Sequence, residues 1–331
     1  MKIAIVKLSA LGDIVHSMIV LQFIKKHNKD ILIDWVVEEK YKGLLKFHPD
    51  INEVHSVNLK KAKNKKSLYI LFKELRKVSK FSKYDIVIDM QGLIKSAVIS
   101  RLIPASLTIG FDKYSLRERN ASLFYNKTFR FSYSKNIIDR NIALVAFALE
   151  LNISKLEILS KVPFLHASTK YLNSNLSSTK KNILLIPGAS VESKIYPFKK
   201  FAELTKDIQV NFLIIWGDIG EKIIAEKIKA IDPSVNICNK LSIDSLISLI
   251  SQVDIVIGSD SGPTHMAWAL NIPSITLFGY TPGYRNSYQT KTNQIIESTT
   301  KVNPLKLDRN DNSIKDINVK EISIIIKELL K

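Results

Sequence analysis

Lys2-Ile3-Ala4-Ile5-Val6-Lys7-Leu8-Ser9-Ala10-Leu11-Gly12-Asp13-Ile14-Val15-His16 decides the fold. Residues 2–7 form an apolar run without helical period, as expected of a parallel strand buried on both faces. Gly12 and Asp13 then open a segment in which Ile14, Val15, Met18, Ile19, Leu21 and Phe23 recur at helical spacing. Strand, small-residue turn and helix therefore follow one another within the first turns of the chain.

The same alternation continues outward. Residues 31–37 read as a second strand, 67–80 as a lysine-rich amphipathic helix and 84–89 as a strand. A helix over 92–102 and a strand near 106–110 follow. After the polar stretch 173–181 the pattern restarts. Strands are expected at 183–186, 210–216, 235–238, 253–257 and 274–278, with helices at 198–206, 220–230, 243–251 and 262–270 between them. A last helix, near 319–330, sets Ile322, Ile325, Ile326, Leu329 and Leu330 on one stripe. Alternating strands and helices imply parallel sheets covered on both faces. The expected fold is α/β, with two doubly wound Rossmann-like domains facing a central cleft. The first spans 1–172, the linker 173–181 and the second 182–315. The terminal helix, 316–331, is free to pack back on the first domain.

A chain of 331 residues, 46% hydrophobic and 24% charged, suits two such cores. Its one cysteine, Cys238, excludes an intramolecular disulfide and fits a reducing compartment. Lys7 cuts the opening apolar run too early for a signal peptide, and no stretch reaches membrane-span length. The excess of 49 basic over 31 acidic residues, +18 in all, draws the chain toward polyanions or reflects a lysine-rich composition. Between Lys60 and Lys83 there are ten basic residues and one acid, Glu74. Aromatic residues are not interleaved there for base stacking, so nucleic acid is not the expected partner. An anionic lipid surface or acceptor suits the run better.

Three post-strand turns carry the candidate chemistry. Asp13, at a helix start, reads either as a cap complementing the helix dipole or as a general base. Pro187-Gly188-Ala189-Ser190 leads to Lys194, either a surface lysine or a point charge for a diphosphate. Gly258-Ser259-Asp260-Ser261-Gly262-Pro263-Thr264-His265 is either a well-capped helix with a buried histidine or a phosphate cradle of free N–H groups. The glycine-rich dinucleotide fingerprint, the P-loop, zinc-ligand spacing and the Gly-x-Ser-x-Gly elbow are all absent. Those absences weaken nicotinamide, nucleotide-hydrolysing and hydrolase readings, and no Asp-x-Asp metal motif occurs.

These residues resemble the lipopolysaccharide heptosyltransferases of glycosyltransferase family 9. The likeness runs through Val6–His16, Asp34–Glu39, Asp89–Ala97, Arg117–Asn126, Lys194–Pro197 and Asp260–His265, in order along the chain. The second, third and fourth segments favour the type I branch over type II. The resemblance implies a GT-B fold and inverting transfer of L-glycero-D-manno-heptose from ADP-heptose to the first Kdo of Kdo2-lipid A. No cofactor or metal is implied. Asp13 falls on the family's proposed base. Ser190, Lys194, Glu221, Asp260, Ser261, Gly262 and His265 fall on donor contacts. Ser9, Ala10, Gly12, Gln91 and Arg117 fall on the acceptor side, as do Lys60, Lys61 and Lys63. Lysines here replace the family's arginines, losing bidentate recognition, and Ala189 replaces a hydroxyl residue. The resemblance further implies a cytoplasmic enzyme, peripheral on the inner membrane. The later lysines, Lys73, Lys77, Lys80 and Lys83, are the ones expected to favour that anionic surface. The rival readings are a family-9 enzyme of other acceptor choice, a nicotinamide oxidoreductase and a non-enzymatic module for acidic lipid.

Overall fold

A computed structural model describes all residues, 1–331, and divides them into two compact units, Met1–Phe164 and Leu165–Lys331. The first unit holds β1 (Lys2–Val6), β2 (Leu32–Glu38), β3 (Glu53–Val57), β4 (Tyr84–Asp89), β5 (Ala105–Phe111) and β6 (Lys127–Phe129). They lie in the order β3-β2-β1-β4-β5-β6, all parallel, with Ile3 of β1 opposite Ile33 of β2 and Ile86 of β4. The second unit holds β7 (Asn182–Ile186), β8 (Asn211–Ile214), β9 (Asn236–Ile237), β10 (Ile255–Ser259), β11 (Ser274–Phe278) and β12 (Asn293–Glu297). Its order is β12-β11-β10-β7-β8-β9, again parallel. Counted within each unit, both sheets run 3-2-1-4-5-6, the doubly wound order whose direction reverses between strands one and four.

Burial explains which strands the sequence announced. β7 and β10 are buried along their whole length and β1 over all but its first residue. A strand covered on both faces reads as a continuous apolar run. β3, β6 and β12, none of which the apolar pattern marked, are all sheet edges. Edge strands carry polar residues because one side lacks a neighbour. β9, the remaining edge, is only two residues long, shorter than the expected 235–238.

Two expectations about domain limits are corrected. The chain enters the second unit at Leu165, not at 182. Ser168 Oγ donates to Asp244, and the Tyr171 N–H donates to Ser248 Oγ. Within 173–181, Asn175 O accepts from the Asn211 amide and the Ser177 N–H donates to Asn182 Oδ1. Polarity suggested a linker there, but those polar groups are hydrogen-bonded into the second unit. The terminal helix Val319–Leu329, for its part, places Val319, Ile322 and Ile326 in the second unit's core, against the helix Phe198–Asp207. Each such burial is worth about 1.5–3 kcal/mol, enough to hold a three-turn helix in place. Just before it, Ile317 O accepts from Tyr196 Oη and Lys200 Nζ.

Candidate active site

In the first unit the reversal point lies between β1 and β4, and the polar residues after those two strands are wired together. Lys7, buried, donates from Nζ to Met90 O at 3.0 Å. Gln91 Oε1 accepts the N–H groups of Leu8 and Ser9 at 3.1 and 3.0 Å. Gln91 is itself placed by Asp89, whose fully buried carboxylate accepts from the N–H groups of Gln91 and Gly92, Ser96 Oγ and Tyr125 Oη. Gly92 turns the chain with φ +67°, where a side chain would also run into Leu116. Burial pushes the Asp89 carboxyl up, its hydrogen bonds offsetting only part of that rise.

Asp13 sits in the first turn of the helix Leu11–Met18, half-exposed beside Ser9, Ala10 and Gly12. Ala10 has no side-chain acceptor to cap that helix. Asp13 instead reaches back, and its Oδ2 accepts the Ala10 N–H at 3.0 Å. The capping role is therefore realised through one oxygen, while Oδ1 takes part in no hydrogen bond within the protein. The arrangement fixes the carboxylate's orientation and leaves it one face for another proton.

Lys60 and Lys61 are exposed on the short helix Leu59–Asn64 after β3. They border a surface depression of about 310 Å³ shared with Glu38, Lys40, Asn58, Asn64 and Lys65. Lys63 is exposed on the same helix but is not among the lining residues. Glu38, buried at the end of β2, accepts the Lys60 N–H at 3.1 Å, and burial raises its carboxyl. Asp34, the other acid of that strand, has a structural task. It accepts from Tyr84 Oη, Asn52 Nδ2 and Lys2 Nζ at 2.6, 2.7 and 3.0 Å. Burial alone would raise its carboxyl, but these bonds and His55 outweigh it and hold it below the usual range. Arg117 is exposed in the segment after β5, next to Glu118, which accepts the Ile94 N–H.

In the second unit the reversal point lies between β10 and β7, and a charged cluster occupies it. Asp260, directly after β10, is ion-paired with Lys194 Nζ at 2.5 Å. Its other oxygen meets His265 Nε2 at 2.8 Å. Thr281 Oγ1 and Asn286 Nδ2 complete the set at 2.8 and 3.3 Å. Burial would raise this carboxyl, yet the Lys194 charge and the His265 bond outweigh burial and hold it far below the ordinary range. The helix Gly262–Ala269 starts beside it, with Pro263 in its first turn and no side-chain cap from Ser261. Ser261 Oγ pairs with Thr264 Oγ1, which bonds Ser259 O. Ser261 and Gly262 are half-exposed, so the positive end of the helix is open to an anion.

Glu221 joins this edge from the helix Ile219–Ile231 after β8. Its Oε2 accepts the Gly217 N–H at 2.6 Å, and its carboxyl lies so close to Gly188 that any side chain at 188 would collide with it. Ser190 is exposed in the turn after β7. The structure thus gathers Lys194, Asp260, Ser261, Gly262 and His265 around one point, with Glu221 and Ser190 on neighbouring turns. Thr281, Asn286 and Tyr280, whose ring lies 5.7 Å from Lys194 Nζ, were missed by sequence reasoning. The signal available was Gly279-Tyr280-Thr281-Pro282-Gly283, a turn cluster directly after β11.

The profile of "Glycosyltransferase family 9 (heptosyltransferase)" matches residues 69–313. The chain is 41% identical to lipopolysaccharide heptosyltransferase 1 of Campylobacter coli, over 99% of each chain. It is 26% identical to lipooligosaccharide heptosyltransferase 2 of Campylobacter jejuni, over 100% of this chain and 99% of that one. Among solved structures it is similar to Escherichia coli heptosyltransferase WaaC with ADP. There the TM-score is 0.80 at 22% identity, over 99% of this chain and 100% of that one.

Proposed function

The chain belongs to glycosyltransferase family 9, the heptosyltransferases, and we propose that it moves L-glycero-D-manno-heptose from ADP-heptose to the first Kdo of Kdo2-lipid A, with inversion. It is a heptosyltransferase of lipopolysaccharide synthesis, which sets aside the nicotinamide reading. The observation that carries the choice of acceptor is the far higher identity to the type 1 relative than to the type 2 relative at equal coverage.

In this reading the acceptor hydroxyl gives its proton to Asp13 as its oxygen bonds the anomeric carbon and the bond to the β-phosphate breaks. Base catalysis of this kind is typically worth ~10²–10⁴-fold. Ser9, Ala10, Gly12 and Gln91 shape the turn that orients Asp13, and Lys60, Lys61, Lys63 and Arg117 meet acceptor carboxylates and phosphates. The departing ADP gains negative charge, which Lys194 and the open end of the helix Gly262–Ala269 stabilise. Asp260, bonded in turn to His265, holds Lys194 in place; Ser190 and Ser261 offer hydrogen-bond partners to donor hydroxyls and phosphates, and Glu221 offers an acceptor to donor hydroxyls. Lys194 and the helix end do the work a divalent metal performs elsewhere, so turnover is expected to survive a strong chelator.

No helix is long and apolar enough to cross a membrane. The lipid-bound acceptor places the enzyme on the cytoplasmic face of the inner membrane, held peripherally by its basic surface. Mass analysis of Kdo2-lipid A after incubation with ADP-heptose tests the reading. One added heptose is expected; modification only of an acceptor that already carries heptose would move the chain to the type II activity.

A further inference from the structure

The helix Leu68–Val78 carries one apolar stripe, and only its C-terminal half is used inside the protein. Val78 is fully buried, and Leu75 packs on the same cluster with Leu59 and Phe81. At the N-terminal end Leu68, Tyr69 and Phe72 are 80%, 75% and 63% exposed. Leu68 and Phe72 stand one turn apart, so the three form a contiguous patch rather than scattered apolar residues. Ser67 caps the helix, its Oγ accepting the Ile70 N–H, so the patch is presented on ordered backbone.

The charges around the patch select its partner. Lys60, Lys61, Lys63, Lys65 and Lys66 precede it, and Lys73 and Arg76 follow; Glu74 is the only acid in the segment. Two copies of this face would repel one another, and a basic partner is excluded for the same reason. Apolar tips ringed by lysines match an anionic bilayer, where the side chains enter the acyl boundary and ammonium groups remain among the phosphates.

We propose that residues 59–78 are a membrane-docking element in which Leu68, Tyr69 and Phe72 insert into an anionic bilayer while Lys60 to Lys66 engage lipid phosphates. Lys77 Nζ is bonded to Ser56 O at 2.7 Å, so of the later lysines this one is engaged within the protein rather than offered to the bilayer. The inference rests on the lipid-bound acceptor for its biological purpose. It places the depression lined by Lys60 and Lys61 next to the bilayer surface from which such an acceptor projects.

The test uses vesicles free of any acceptor lipid, so a negative result leaves the transferase reading standing, and failure of heptose transfer leaves the docking result intact. The full chain is expected to sediment with phosphatidylethanolamine–phosphatidylglycerol vesicles and not with phosphatidylcholine alone. Leu68→Ser/Tyr69→Ser/Phe72→Ser should bind at least ~10-fold more weakly while retaining ADP binding as a check on folding. In a separate Phe72→Trp variant, the new indole should shift to the blue on vesicle addition and be quenched by brominated acyl chains. Unchanged sedimentation of the triple variant, or an indole emission indifferent to vesicles, would overturn insertion. A vesicle-free dimer that the triple variant dissolves would overturn it in favour of self-association.

Discussion

Asp89 and Asp260 occupy similar places, one the last residue of the fourth strand and the other the first residue after it, in sheets with the same strand order. Both are buried, and their electrostatics are opposite. At Asp89 burial outweighs the hydrogen bonds from Gln91, Gly92, Ser96 and Tyr125 and raises the carboxyl. Asp260 meets Lys194 and His265, which outweigh burial and lower it. Topology therefore supplies a location and not a chemistry. In the first unit the buried acid braces the turn that carries Gln91 toward the β1 loop, and Asp13 is left half-exposed. In the second unit the buried acid stores charge and fixes a cation beside an open helix end.

The contrast can be broken most forcefully at Asp13. Asp13→Asn keeps an acceptor for the Ala10 N–H but removes the base, so turnover should fall ~10²–10⁴-fold with ADP affinity nearly unchanged. Parallel loss of ADP binding, measured by calorimetry, would make Asp13 a purely structural cap. Next in size is Lys194→Ala, which leaves the Asp260 carboxylate buried without its main cation. Breaking such a pair costs about 3 kcal/mol, visible as a lower denaturation midpoint together with weaker donor use. Turnover should suffer more than ADP affinity if Lys194 meets the leaving group in the transition state. An unaltered midpoint would mean that the ion pair contributes nothing to the second unit.

Stability against pH separates the two acids themselves. Asp260 has a depressed folded pKa, so its contribution is present above the ordinary carboxylate value near 4 and is lost as pH falls toward the folded value. Asp89 has a raised folded pKa, so its contribution is present below about 4 and is lost as pH rises through the folded value. Asp260→Asn should thus flatten the acid limb of the stability profile. Asp89→Asn should flatten loss on the other side and cost only about 1 kcal/mol, since the amide imitates a protonated carboxyl. Denaturant midpoints across pH that move the same way in both variants would erase the distinction.

The smallest effect belongs to the lysines. Replacing Lys60, Lys61 and Lys63 with alanine should raise the acceptor KM several-fold, on the order of 1 kcal/mol, because exposed charges act through a screened field. ADP affinity should be spared, and the salt dependence of acceptor use should flatten. Equal loss of donor affinity would show that these residues do not belong to the acceptor side.

The sequence by itself determined the alternation of strands and helices, because strands buried on both faces must be apolar throughout and helices between them must be amphipathic. It also located the turns carrying Asp13, Lys194 and Asp260, since small residues and helix-start chemistry leave a local trace. Tertiary structure alone decided the edge strands β3, β6 and β12, whose polarity hides them, and the boundary at Leu165, which depends on contacts such as Ser168 with Asp244. It also brought Thr281 and Asn286 to Asp260 across more than twenty residues. That Asp260 is held charged and Asp89 pushed toward neutrality could not be read from either local sequence. The sign depends on whether the partners that folding brings to the buried carboxyl outweigh its burial. Lys194, 66 residues away along the chain, reaches Asp260, whereas the hydrogen bonds that Asp89 receives from the Gln91 N–H and Tyr125 Oη do not outweigh its burial.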